Sequence, residues 1–340
     1  MRKIPGKIME KKAKPAILRG GLLPYGGGGT KGRRPAPLRP GQGPGLPPQT
    51  EPPGRIPPGL AAGLFALLFA LGCSTAPKGP VETRTLRNAG ALQLELANRE
   101  TDRGNYEGAL ELLAEARRLA FNADDTALIV RAYLSLGNAY SYLGRADEAS
   151  ASWDSAAAEA GQAGDGELLA ICEIHRERRR LLDGGSAAAL SVRDRVQAAL
   201  GRIKANPLDQ ALAWTVTGLA EKELRRFAEA EAALKKALAL HGSYPEQAAY
   251  DWYLIASARS VAGNYDAALE ALEEALACDR RAENSYGLGK DWLARGDVLS
   301  KAGRPAEAEA AWRHAAEIFA SAGLAAEAET AAQRGNNSGQ

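Results

Sequence analysis

Between residues 88 and 330 the chain repeats one arrangement of apolar, small and polar positions. Its clearest copy runs through Tyr133, Leu136, Gly137, Tyr140, Gly144, Ala149, Trp153 and Ala156, which are positions 4, 7, 8, 11, 15, 20, 24 and 27 of a unit. Apolar positions at helical spacing on both sides of a glycine predict two helices joined by a reversal of the chain. The frame returns in Gly104, Tyr106, Ala109, Leu113 and Ala116, and again in Trp214, Gly218, Phe227, Ala230, Leu234 and Ala237. It returns in Trp252, Gly263, Tyr265, Ala268, Leu272 and Ala275, then in Trp292, Gly296, Gly303, Ala308, Trp312 and Ala315. A degenerate unit keeps Gly184, Ala189 and Val196 in frame but has Glu177 where a small residue is expected. Position 15 therefore falls at 104, 144, 184, 225, 263 and 303.

Each conserved slot of the frame has a packing reason. Small residues at positions 8 and 20 let the paired helices approach to about 8–10 Å. Alanine at 27 lets the next unit nest, and large residues at 4, 11, 17 and 24 fill the remaining gaps. Glycine at 15 permits the reversal. No unit covers its apolar stripe alone, so stability comes from stacking neighbours. The five tryptophans sit at positions 4 or 24 and are read as core wedges. A last helix over Ala325 to Arg334 is expected to cap the stack, and residues 331–340 to form a frayed tail.

The frame resembles the tetratricopeptide repeat, with a step near 40 residues in place of the common ~34. That resemblance implies an all-α, right-handed helical-hairpin solenoid of about six repeats over residues 88–330, with protein binding as its job.

Composition divides the chain. Of 18 prolines, 13 lie before residue 59, and residues 1–58 carry twelve Lys or Arg against two Glu, about +10. The whole chain is +2, which leaves residues 73–340 near −8. An acidic folded part repels phosphate backbones, so nucleic acid is not an expected partner. Residues 1–54 read as a low-complexity basic leader, consistent with an over-extended start site. Their Gly26 to Gly29 run lacks the Gly-Lys-Ser/Thr order of a phosphate loop.

Leu60 to Gly72 are thirteen apolar residues behind Arg55. As a helix they rise about 20 Å, short of the ~30 Å hydrocarbon core, so 55–72 reads as a signal peptide. The stretch Phe69-Ala70-Leu71-Gly72-Cys73 resembles the lipobox of bacterial lipoproteins, although Ala70 stands where leucine is usual. The resemblance implies diacylglycerol on Cys73, a tether over 73–87, and export to the periplasmic face of a membrane. Ser74 favours the outer membrane over the inner. The alternative is ordinary secretion or a buried structural cysteine.

Little in the chain carries chemistry. Cys172 and His175 are one turn apart, but no second pair at zinc spacing accompanies them, and they read as a buried cysteine beside a surface histidine. Carboxylates such as Glu221, Glu223, Glu229 and Glu231 have helical surface spacing. No catalytic residue, metal or cofactor is expected.

By the resemblance, ligands meet positions 2, 5, 9, 12 and 13 of each first helix. These are Leu94, Asn98 and Asp102, then Arg131, Leu134, Asn138, Ser141 and Tyr142, with Thr215, Lys222 and Glu223 in the fourth unit. Tyr250, Tyr253 and Ser257 follow, then Lys290, Leu293, Asp297 and Lys301. The favoured set is Asn98, Leu134, Asn138, Tyr142, Tyr250, Tyr253, Leu293 and Asp297. The three tyrosines are candidate anchors, unless the longer repeats rotate their rings between units. Leu94 and Ser135 replace the lysine and asparagine of the carboxylate-gripping subtype, which is thereby disfavoured. The expectation is a membrane-anchored scaffold binding a protein partner of the cell envelope. The alternative is a ligand-capturing accessory of a transport system.

Overall fold

The computed structural model describes residues 85–204 and 206–337, and every element among them is a helix. Six hairpins follow one another: α1 (Thr85–Asp102) with α2 (Tyr106–Asn122), α3 (Thr126–Tyr142) with α4 (Ala146–Gln162), and α5 (Gly166–Gly184) with α6 (Ser186–Leu200). Then come α7 (Pro207–Glu223) with α8 (Phe227–His241), α9 (Pro245–Val261) with α10 (Tyr265–Ala282), and α11 (Ser285–Lys301) with α12 (Pro305–Ser321). A single helix, α13 (Ala325–Asn337), closes the series. The architecture is a tetratricopeptide-like solenoid. The leader, the signal segment, Cys73 and the tether up to residue 84 lie outside the described residues.

Local chemistry sets the helix limits. Asn105, Asp125, Asp165, Asn206 and Asn284 each accept a hydrogen bond from a first-turn amide of the helix they precede, which satisfies donors that no carbonyl can reach. The three prolines of the solenoid, Pro207, Pro245 and Pro305, each open a helix, where no amide donor is needed. The turn inside each hairpin uses a left-handed residue: Gly104, Gly144, Gly185, Gly263 and Gly303, with Arg225 (φ +59°) taking the place of glycine in the fourth. In the degenerate third hairpin the turn is one residue later than the frame predicts, because Gly184 remains helical.

The spacing rule has a direct structural counterpart. Gly137 faces Trp153, Gly218 faces Leu234 and Gly296 faces Trp312, so position 8 of the first helix meets position 24 of the second. Trp153 and Trp312 are buried as expected, but Trp214, Trp252 and Trp292 are only half-buried. Those three occupy position 4. There the indole of Trp214 takes the ammonium of Lys236 on its face at 3.9 Å, and Trp292 meets the His314 ring at 4.6 Å. The continuous core instead uses Val130, Ile174, Val192, Val196, Val216 and Ile255, all fully buried.

The ends of the stack come together. Tyr106, at the start of α2, shares an apolar cluster with Tyr286 of α11, Ala315 and Phe319 of α12, and Ala331 of α13. Gln247 of α9 donates to the Asp102 carboxylate at the end of α1 (3.3 Å). Gly104 serves this seam twice, through its left-handed φ of +78° and because a Cβ there would sit 3.1 Å from the Tyr286 ring. The helical region starts at Thr85, three residues before the expected boundary, and α13 runs to Asn337. Residues 331–337 continue this helix, where Ala331 is buried and Arg334 pairs with Asp297.

Candidate binding chamber

The first helices of all six hairpins face one chamber of about 910 Å³. Along α3 and α5 its wall is polar. Asn138 Oδ1 meets His175 Nδ1 at 3.2 Å, and Arg178 donates to the Tyr142 hydroxyl at 2.9 Å. Arg131 makes a bidentate pair with Asp209 of α7 (3.1 and 2.7 Å), which ties the second repeat to the fourth across the chamber. Burial, reinforced by the charges of Arg178 and Arg131, pushes His175 down to about 3, so its ring is neutral near pH 7. His175 thus faces the chamber rather than the outer surface expected for it. Its neighbour Cys172 is buried, which pushes the thiol up to about 11.

At the seam the wall is acidic and aromatic. Asp102, Glu246, Asp279 and Asp291 line it, with Tyr106 stacked on Tyr142 (5.1 Å) and Tyr250 on Tyr253 (6.4 Å). Burial raises Asp102 to about 7, helped by the charges of Glu246 and Asp279. Burial likewise raises Asp279 to about 7, although Asn284 donates to it at 3.0 Å. Asp291 is held well above the usual carboxylate range by burial and by Asp279 beside it. Two carboxyls so placed disfavour each other's ionisation and titrate as a pair. Behind this wall, Asp251 is fully buried between Thr215 Oγ1 (3.0 Å) and His241 Nδ1 (2.6 Å). That cluster joins α7, α8 and α9 without offering a nucleophile aligned with a base, since Thr215 and His241 hold different oxygens of one carboxylate.

Of the residues favoured from sequence, Asn98, Leu134, Asn138, Tyr142, Tyr250 and Tyr253 come together on the chamber wall. The tyrosine rings are half-buried and stacked rather than freely exposed. Leu293 and Asp297 do not line it. Leu293 packs against the apolar cluster around Phe319. Asp297 accepts from Trp312 Nε1 (3.0 Å) and pairs with Arg334 of α13, so the closing helix uses that face. Leu94, Asp102, Arg131, Thr215 and Lys290 also line the chamber, whereas Ser141, Lys222, Glu223, Ser257 and Lys301 do not.

Sequence reasoning missed Arg178, Glu246, Asp279 and Asp291. Arg178 belongs to the degenerate repeat, and Asp279 lies on a second helix, so neither occupies a position that the repeat frame marks. The signal available for Arg178 was the arginine-rich run of α5, Arg176 to Arg180, broken only by Glu177. Among the described residues no group of three or more histidine, cysteine or carboxylate side chains is arranged to hold a metal ion.

Comparison with known proteins agrees with this architecture. Residues 130–153 match the tetratricopeptide repeat family. No curated protein matches the sequence. Among solved structures, a Rap protein complexed with competence and sporulation factor is similar at 14% identity and a TM-score of 0.51, over 74% of this chain and 77% of that one. BtubC from P. vanneervenii is similar at 20% identity, 68% and 92% coverage and a TM-score of 0.47. PilW, a widely conserved type IV pilus biogenesis factor, is similar at 18% identity, 71% and 97% coverage and a TM-score of 0.43. At such identities the likeness concerns the fold.

Proposed function

We propose that this protein is a membrane-anchored scaffold of the cell envelope that holds a partner protein through its inner chamber. The supporting observation is that all six first helices turn residues onto one continuous wall, a geometry suited to binding rather than to chemistry. The anchor is the diacylglycerol carried by Cys73, facing the periplasm and seated in the outer membrane. The leader motif supplies that reading of the attachment; no helix among the described residues is long and apolar enough to cross a membrane. Cys73→Ala should abolish fatty-acid labelling and release the protein from membranes; unchanged labelling would sink the anchor. Cross-linking in cells should recover a partner with the wild type and lose it with the folded Tyr250→Ala, Tyr253→Ala variant. Equal recovery by both would refute the chamber as the partner site.

A second reading, a ligand-capturing accessory of a transport system, is favoured by one feature. The first and last repeats meet, the half-open chamber between the first helices holds about 910 Å³, and small-ligand sites span ~300–1,000 Å³.

A further inference from the structure

Charges inside the chamber fall into two groups. One pair is matched, Arg131 with Asp209. Others are not. Arg178 reaches the Tyr142 hydroxyl, but no carboxylate of the described residues lies within 4.0 Å of its guanidinium. At the seam, Asp102, Glu246, Asp279 and Asp291 make no ion pair within that distance among the described residues, although Arg178 lies within electrostatic reach of Asp102, and Lys290 and Arg280 of Asp291. Asp291 is only 2% exposed, lines the chamber beside Asp279, and its Oδ2 accepts from no N–H or hydroxyl donor of the described residues. Buried charges and polar atoms are normally paired, because leaving them unmatched is costly. Here a guanidinium without a carboxylate partner shares one chamber with four carboxyls that no ion pair holds.

We propose that the chamber binds a zwitterionic ligand of amino-acid to short-peptide size, its carboxylate on Arg178 and its ammonium among Asp102, Glu246, Asp279 and Asp291. A guanidinium offers a carboxylate charge-assisted, fork-shaped hydrogen bonding. Tyr142 and Tyr250, both within electrostatic reach of Arg178, flank that end. The seam gives an ammonium its countercharge, and the stacked tyrosines beside it supply faces that attract cations. The volume suits such a ligand. An arriving ammonium favours the ionised form of Asp102 and Asp279, both poised near pH 7, so binding at neutral pH releases protons.

This inference deepens the ligand-capturing reading and rests on it, independently of the lipid anchor. The test is isothermal titration calorimetry of the full chain at pH 7. The probes are each free amino acid, trialanine, N-acetyl-trialanine, trialanine amide and putrescine. A free amino acid or trialanine should bind, and blocking either terminus of trialanine should weaken binding at least tenfold. Comparing amino acids with trialanine separates the two sources of the zwitterion. Arg178→Gln should erase the preference for free acid over amide, and Asp102→Asn should shrink the preference for free amine over acetyl. If Arg178→Gln fails to fold, Arg178→Lys, which keeps the charge, should retain the preference for acid over amide. Putrescine or the amide binding as tightly as trialanine would overturn the two-ended site while leaving ligand capture standing. Silence from every probe would overturn both.

Discussion

Gly296→Ala is the sharpest test of the packing logic. A methyl group at this position would lie 2.5 Å from Trp312 Nε1 and 2.9 Å from Cε2, well inside ordinary van der Waals contact. The ring cannot turn aside freely, because its N–H is bonded to Asp297 at 3.0 Å. Overpacking of this kind costs about 1–3 kcal/mol, and surrendering the indole hydrogen bond adds roughly 1 kcal/mol. Alanine returns about 0.8–1 kcal/mol through its better helix propensity. The net expectation is a destabilisation of about 1–3 kcal/mol, read as a lower urea midpoint for the full chain. Gly161→Ala is the comparator: its added methyl meets nothing within 4 Å in α4, so it should be neutral or stabilising by up to about 1 kcal/mol. In a Trp312→Ala background the cost of Gly296→Ala should shrink, since the ring that crowds the methyl is gone. If Gly296→Ala behaves like Gly161→Ala, close approach at position 8 is not what the glycine provides.

Two further outcomes follow from the turn and the seam. Asp102 is raised to about 7 from an unfolded value near 4, so the folded state holds an extra proton between those limits. Its contribution is fully present below about pH 4 and is lost as pH rises through 7; urea midpoints of wild type minus Asp102→Asn should therefore fall from pH 5.5 to 8, and a flat difference would refute the seam electrostatics. Arg225 adopts φ +59° with its guanidinium 5.6 Å from the Phe227 ring centre. Arg225→Gly should change stability by less than about 0.5 kcal/mol, as relieved strain offsets lost ordering of the unfolded chain, whereas Arg225→Val should cost more than about 1 kcal/mol in thermal melts.

The parts of this molecule legible in the sequence are those that depend on neighbours. The glycine of position 8 and the tryptophan or leucine of position 24 touch within one hairpin, so their spacing alone announces the contact. Turn glycines are legible for the same reason, except where Gly184 yields to Gly185. The seam is different, because Tyr106 meets Tyr286 only through the rotation accumulated over six hairpins, which no local pattern encodes. The fate of Leu293 and Asp297 depends on α13 folding onto the sixth repeat, also a long-range event. Asn138 shows how such context redirects a legible residue. Asp297, at the same repeat position, accepts from its tryptophan, whereas Asn138 turns to His175 and leaves the Trp153 N–H without a partner.

A linear solenoid is energetically a one-dimensional array, in which terminal units lack a neighbour and open first. The contact of Asp102 and Gly104 with Gln247 and Tyr286 turns that array into a cycle. Neither terminal hairpin is then an end in the thermodynamic sense, and opening either one breaks an interface with a hairpin far away in sequence. Amide exchange in α1 and α2 should accordingly rise and fall together with that in α11, rather than with distance from the chain terminus. Closure would make the whole ring, and not a pair of adjacent repeats, the smallest unit that unfolds.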